Sequence, residues 1–345
     1  MAPSETPVFD AADGDIYVAG NGTISVISGR TNSVVALLCV DASLMPVFDP
    51  ANGELYVPTD SGNTGAVSIV SGETVVSTVP VGDSPRTPVV DSQNGGIYVP
   101  NYGSEFLSVI SGATNTVVAN VTVGSGVSGG VFDTTNGDLY LNSNQQGAVL
   151  IVSGKTNALV GNITLDFATC IPCTQLQDNP QFPVFDPMNG DIYVPNAGGD
   201  TVSVISGATN SLVTNVVVGG DPLPPAVDSA NGDIYVPNLN ENTVSVISGA
   251  TNALVATVTV GNMPLPPAFN SMNGDVYVPS DTNDTLSIIS GATNAVIGTV
   301  PIGYYPNYPP AVDSSNGDVY VSCIGDGTIY VISLAAIIPF PPIER

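Results

Sequence analysis

Residues 189–215 read NGDIYVPNAGGDTVSVISGATNSLVTN, and nearly the same words return at 231 and at 273, with looser copies along the rest of the chain. One Tyr in each copy marks the period: Tyr17, Tyr56, Tyr98, Tyr140, Tyr193, Tyr235, Tyr277 and Tyr320. The intervals are 39, 42, 42, 53, 42, 42 and 43 residues. A period near 42 fits four short strands and their turns, which is one blade of a β-propeller. A single sheet of this kind leaves both apolar faces wet. Radial stacking buries face against face, and closing the ring removes the two end blades.

One copy shows how the strands arise. PVFD (183–186) is a short apolar strand, and PMNG (187–190) is a tight turn whose Asn-Gly accepts positive φ, predicting a four-residue hairpin loop with a bulge. DIYVP (191–195) is the second strand and NAGGD (196–200) a loop. TVSVIS (201–206) alternates with period two, GATN (207–210) turns, and SLVTNVVVG (211–219) is the outermost strand. No stretch holds a 3.6-residue apolar period, and β-branched residues fill the apolar runs, so helix is not expected.

The segments YVPNAGGDTVSVISGATNSLVTNVVVG and YVPNLNENTVSVISGATNALVATVTVG resemble the YVTN-type β-propeller repeat of archaeal and bacterial surface proteins. YVPN at 193–196 and 235–238 stands where that family has its name-giving tetrapeptide, and SVISGATN matches the strand and turn that follow. The resemblance spans nearly the whole chain. It implies an all-β propeller, and seven blades are frequent in the family. The eight Tyr anchors predict eight four-stranded blades, with seven as the alternative. The propeller is expected over residues 1–334. Residues 335–345 form an apolar, Pro-rich tail that replaces the usual turn and outer strand of the last repeat. That tail is expected either to fold back as a short outer strand or to pair with a neighbouring subunit.

Charge excludes several functions. Four basic residues stand against 30 acidic ones, for a formal net charge of −26. Nucleic acid needs a basic footprint, and an anionic membrane surface would repel this chain. No run of about 18 apolar residues is present to span a bilayer as a helix. Charged residues are only 10% of the chain, and a Ser, Thr, Asn and Asp surface with almost no Lys suits an exported protein. An acidic habitat is tolerable, because protonated Asp leaves no large positive excess. The opening MAPSETPVFD has no apolar stretch of signal-peptide type.

The chain has no His, which removes the commonest general base, the Ser-His-Asp and Cys-His arrangements and most zinc sites. An enzyme of the propeller-lactonase kind is therefore the weakest reading, and no cofactor is expected. Asp10, Asp49, Asp91, Asp133, Asp186, Asp228 and Asp313 end the innermost strands, with Asn270 at the eighth place. A second set, Asp15, Asp138, Asp191, Asp233, Asp275 and Asp318, follows the Asn-Gly turns, with Glu54 and Gly96 as the exceptions. A ring of oxygens could take calcium. Eightfold recurrence favours turn chemistry instead, because a turn must recur and a site need not.

Four cysteines are paired in expectation. Cys170 and Cys173 would pin the long insertion at 166–182, and Cys39 with Cys323 would lock blade one to blade eight. Asn-X-Ser/Thr sequons at Asn21, Asn120, Asn162 and Asn283 are glycosylation candidates. The inter-blade loops lie on one face by strand order, and Tyr304, Tyr305 and Tyr308 make one of them an aromatic contact candidate for a protein or glycan. The expected function is a non-enzymatic extracellular or cell-surface structural protein, a self-assembling subunit of a surface layer, sheath or filament. The alternative is an adhesin that binds glycan or protein through the loop face.

Overall fold

The computed structural model describes residues 6–20, 22–40, 44–60, 65–165, 179–306 and 309–333. They form an eight-bladed β-propeller of consecutive antiparallel meanders and contain no helix. Blades one to seven each have four strands in sequence order from the axis outward. Blade eight shows Ala311–Val312, Val319–Cys323 and Thr328–Ile332, and its fourth-strand position falls outside the described residues. Eight blades, not seven, is the outcome.

Blade five follows the sequence closely: Val184–Asp186, Asp191–Asn196, Thr201–Ser206 and Ser211–Val217. The Asn-Gly turn works as expected, with Gly190 at φ 77° and its N–H donating to Asp186 O at 2.9 Å. The bulge is elsewhere. The first hairpin pairs Asp186 with Asp191 in unbroken register, and the shift falls between the third and outermost strands, at Val204/Ile205. The same shift recurs in blades one to seven, for example at Val26/Ile27 and Ile288/Ile289. Extra twist is thus inserted where the blade is widest.

The core lies between blades. All eight anchor Tyr residues are buried. Tyr193, Val202 and Val204 of blade five pack on Ile234, Val236 and Ile247 of blade six, and this sandwich is repeated around the ring. Each such side chain contributes roughly 1.5–3 kcal/mol by leaving water. The second strand reads as a continuous apolar run because blades cover both of its faces. The ring closes by side-chain packing: Ile16, Val18 and Ile27 of blade one meet Tyr320, Ile329 and Val331 of blade eight.

Candidate functional site

The repeated polar residues build the seams between blades. Asn189, in the Asn-Gly turn of blade five, donates through Nδ2 to Tyr193 Oη at 2.8 Å and to Gly249 O of blade six at 2.8 Å. Tyr193 donates to Asn252 Oδ1 of blade six at 2.5 Å, and Asn252 Nδ2 donates back to Asp191 Oδ2 at 3.0 Å. The Tyr140–Asn210–Asp138 and Tyr56–Asn115–Glu54 relays repeat this circuit. The last seam is closed the same way, by Tyr320 on Asn32 of blade one at 2.5 Å. Burial pushes the Tyr phenols up, Tyr98 to about 12, so they act as neutral donors.

The Asn of each GATN-type turn therefore has two roles. Asn32, Asn115, Asn157, Asn210, Asn252 and Asn294 all sit at φ 52–54°, the left-handed region that Asn tolerates, and from there the side chain reaches across the seam. The turn role is evident in the sequence, whereas the seam role is not. Among the described residues, blade two, with SGET in place of SGATN, sends Tyr17 to the Gly72 carbonyl instead.

The carboxylates are dispersed around the ring. In each inner-strand Asp, Oδ1 accepts the backbone N–H two residues on, as in Asp49 with Ala51 at 2.9 Å and Asp228 with Ala230 at 2.8 Å. Among the described residues no three His, Cys, Asp or Glu side chains come together as a metal would require. The exceptions in the second set matter locally. Glu54 takes the Asp role, while Gly96 leaves no carboxylate opposite Asn157. A cleft of about 230 Å³ opens there between blades three and four, lined by Asn94, Gly96, Tyr98, Ser111, Val118 and Asn157.

The loop face has its own geometry. Among the described residues, five inter-blade loops place a non-Gly residue at positive φ directly before Pro: Ser84, Asn179, Asp221, Met263 and Tyr305. Such a backbone is costly for Met and Tyr. Each Pro is bridged to the end of its blade's second strand, as Pro306 is to Cys323. Tyr304 and Tyr305 are 63% and 59% exposed, and their carbonyls accept the Gly325 and Ile324 N–H groups. Tyr308 lies outside the described residues. On the same face the Arg86 guanidinium stacks 5.0 Å from the Tyr102 ring centroid.

Cys39 and Cys323 are not joined to each other. Cys39 is exposed at the end of the outermost strand Ser33–Cys39, and Cys323 is buried at the end of the second strand Val319–Cys323. The two ends share a face, which is what the expectation relied on. They differ by two strand spacings in radius, about 10 Å, against the roughly 7 Å a disulfide can span. Cys170, Cys173, Asn21 and the tail lie outside the described residues. Asn120 and Asn162 are exposed at equivalent places on the outermost strands of blades three and four. Asn283 is exposed on the loop face, its Oδ1 accepting Asn262 N–H at 3.0 Å.

No family model matches the chain, and no curated protein matches it. Solved structures do. The fold is similar to that of Kuenenia stuttgartiensis hydrazine synthase, with TM-score 0.62 and 15% identity over 84% of this chain and 95% of that one. It is also similar to the dihydro-heme d1 dehydrogenase NirN in complex with DHE, with TM-score 0.76 and 13% identity over 98% and 73% of the two chains. At these identities the likeness is one of fold.

Proposed function

We propose that this propeller is a non-enzymatic structural protein of the cell surface or extracellular space, a subunit that assembles with copies of itself into a layer, sheath or filament. The observation that carries this reading is an apolar belt on the rim. Val35, Val76, Val118, Val160, Val213, Val255 and Ile297 occupy the same position of seven outermost strands and are 44–59% exposed. An outermost strand is a sheet edge, and edges that must stay single are usually guarded by Lys or Pro. Here the guard position holds a β-branched apolar residue seven times, which favours contact between rims. The absence of His and the use of the repeated Tyr, Asn and Asp groups in the seams support a non-catalytic role.

Electron microscopy and light scattering of the purified chain test the reading, with Val160→Lys/Val213→Lys as the rim variant. Ordered polymers that disperse in the variant, with its circular dichroism unchanged, are expected. A wild-type chain that stays monomeric at all concentrations, in acid and at neutrality, removes the structural role. The adhesin reading draws on a different observation, the exposed and backbone-strained Tyr305 beside Tyr304. A monomer that binds glycans and loses them in Tyr304→Ala/Tyr305→Ala would favour it.

A further inference from the structure

The turn accounts for only one oxygen of each inner-strand Asp. In Asp186, which is fully buried, Oδ1 accepts the Met188 N–H at 2.9 Å. Oδ2 is enclosed and meets no hydrogen-bond donor. Its surroundings are defined by Gly249 of blade six: a Cβ on that residue would lie 2.5 Å from Asp186 Oδ2 and 2.3 Å from the carbonyl oxygen of Gly232. Two acceptors thus border one enclosed point, and the Asn189 amide nitrogen, 3.2 Å from that point, is engaged by Tyr193 and the Gly249 carbonyl; facing acceptors repel unless a hydrogen lies between them.

Blade seven supplies an internal comparison. Asn270 holds the one ring position that is not Asp. Its Oδ1 performs the turn role, accepting Met272 N–H at 3.0 Å. Its Nδ2, the counterpart of Asp186 Oδ2, donates to Gly317 O at 2.9 Å in a buried contact. Gly317 is the repeat equivalent of Gly232. Where the second atom carries hydrogen, it donates to that carbonyl.

We propose that Asp186 is held as a neutral carboxylic acid whose Oδ2–H donates to the Gly232 carbonyl of the next blade. Asp91 has the same pair of acceptors, its Oδ2 and the Gly137 carbonyl lying 2.2 and 2.8 Å from a Cβ on Gly154, but there the Asn94 side chain also hydrogen-bonds to the carboxyl, so the role is shared. A proton is then a structural component of these seams, and the ring is built to be strongest in acid. The groups facing Asp186 are Tyr193 and Asp191 on its own blade and Asp233 on blade six. Those facing Asp91 are Tyr98, the Asn94 amide and the N–H groups of Gln93 and Asn94. Burial raises both carboxyls, and the Asp191 and Asp233 charges add to it for Asp186, against the lowering effect of the backbone N–H bonds and, for Asp91, of the Asn94 side chain.

The sign follows. Below the unfolded Asp pKa of about 3.9 both states hold the proton and the contribution is complete. As pH rises the unfolded chain ionises first, and stability falls until the folded pKa has been passed. Each pKa unit of elevation is about a tenfold loss in the folding equilibrium constant.

Thermal and urea unfolding at about pH 3 and about pH 7, either side of the unfolded Asp pKa, tests this on wild type, Asp186→Asn, Asp91→Asn and Asn270→Asp. Each Asp→Asn change installs the donor permanently. The variants should be at least as stable as wild type at neutrality and lose less between the two pH values. Asn270→Asp should match wild type in acid and fall below it at neutrality. The proposal is overturned if Asp186→Asn and Asp91→Asn are weaker than wild type at neutrality, or if they keep the wild-type pH slope. It is also overturned if calcium chloride raises the neutral melting temperature of wild type but not of Asp186→Asn, since a cation would then occupy the point assigned to the proton.

Discussion

Replacing Tyr193 by Phe isolates the contribution of one seam hydroxyl. The ring stays, so the buried apolar area of the blade five–blade six contact is kept. What goes is the donation to Asn252 Oδ1 at 2.5 Å and the bond accepted from Asn189 Nδ2 at 2.8 Å. Each is worth about 1 kcal/mol net. Asn189 Nδ2 retains its bond to Gly249 O, so it is not orphaned. Asn252 Oδ1 loses its hydroxyl donor in a half-buried seam, adding up to about 1 kcal/mol of uncompensated desolvation. The sum is about 2–3 kcal/mol. For 345 residues at about 2.1 cal/mol/K each, the unfolding entropy is about 0.7 kcal/mol/K, so the melting temperature should fall by about 3–4 °C. Urea and thermal unfolding followed by circular dichroism measure this, with Tyr304→Phe as the exposed control expected within about 0.5 kcal/mol of wild type. If Tyr193→Phe costs no more than that control, the Tyr–Asn–Asp circuit does not hold the blades together, and packing alone must do so.

Two further outcomes follow from the seams. Burial lifts the Tyr98 phenol to about 12, so stability should decline as pH climbs from the free Tyr value of about 10 through that point. Phenolate absorbance from Tyr98, read as the difference between wild type and Tyr98→Phe, should appear together with loss of circular dichroism, and its appearance in a still-folded chain would refute the burial argument. Gly249→Ala should cost about 1–3 kcal/mol or more in urea unfolding, because its Cβ would strike Gly232 O at 2.3 Å. Gly298→Ala, whose nearest neighbour would be Ile288 Cδ1 at 3.6 Å, should be neutral or gain about 0.5 kcal/mol; equal costs at the two sites would undo the close-approach argument.

The Tyr period and the turn words specified the blade count and, in blade five, every strand to within a residue or two. The placement of side chains across seams was less legible, for identifiable reasons. The Asn of GATN explained itself as a residue tolerant of positive φ, which hid its bond to the Tyr of the preceding blade. The Asn-Gly turn, with a glycine ready for positive φ, points to a bulge at its own hairpin, yet the register breaks beside Ile205, where no sequence word announces it. Strand order gave Cys39 and Cys323 a common face, and the same repeat pattern puts one on an outermost strand and the other on a second strand; the roughly 10 Å between those radii is what separates them. Gly96 was visible as an exception; that it opens a cleft depends on what the partner Asn157 would otherwise have met.

The Asn-Gly turns have one more consequence, which concerns how the molecule ages. Asn followed by Gly is chemically fragile, because the glycine nitrogen can attack the side-chain carbonyl carbon and release ammonia. In this ring that nitrogen is already committed, Gly190 N–H to Asp186 O at 2.9 Å and Gly232 N–H to Asp228 O at 2.8 Å. The Asn189 amide is clamped between Tyr193 and the next blade, so it cannot rotate into line. Wear should therefore track the fraction of time a seam stands open. It should also be cumulative: deamidation at Asn189 exchanges a donor for an acceptor facing the Gly249 carbonyl, and a blade that has once aged in this way reseats less firmly. Folded and sealed, the repeat protects the weak point that its own turn chemistry creates.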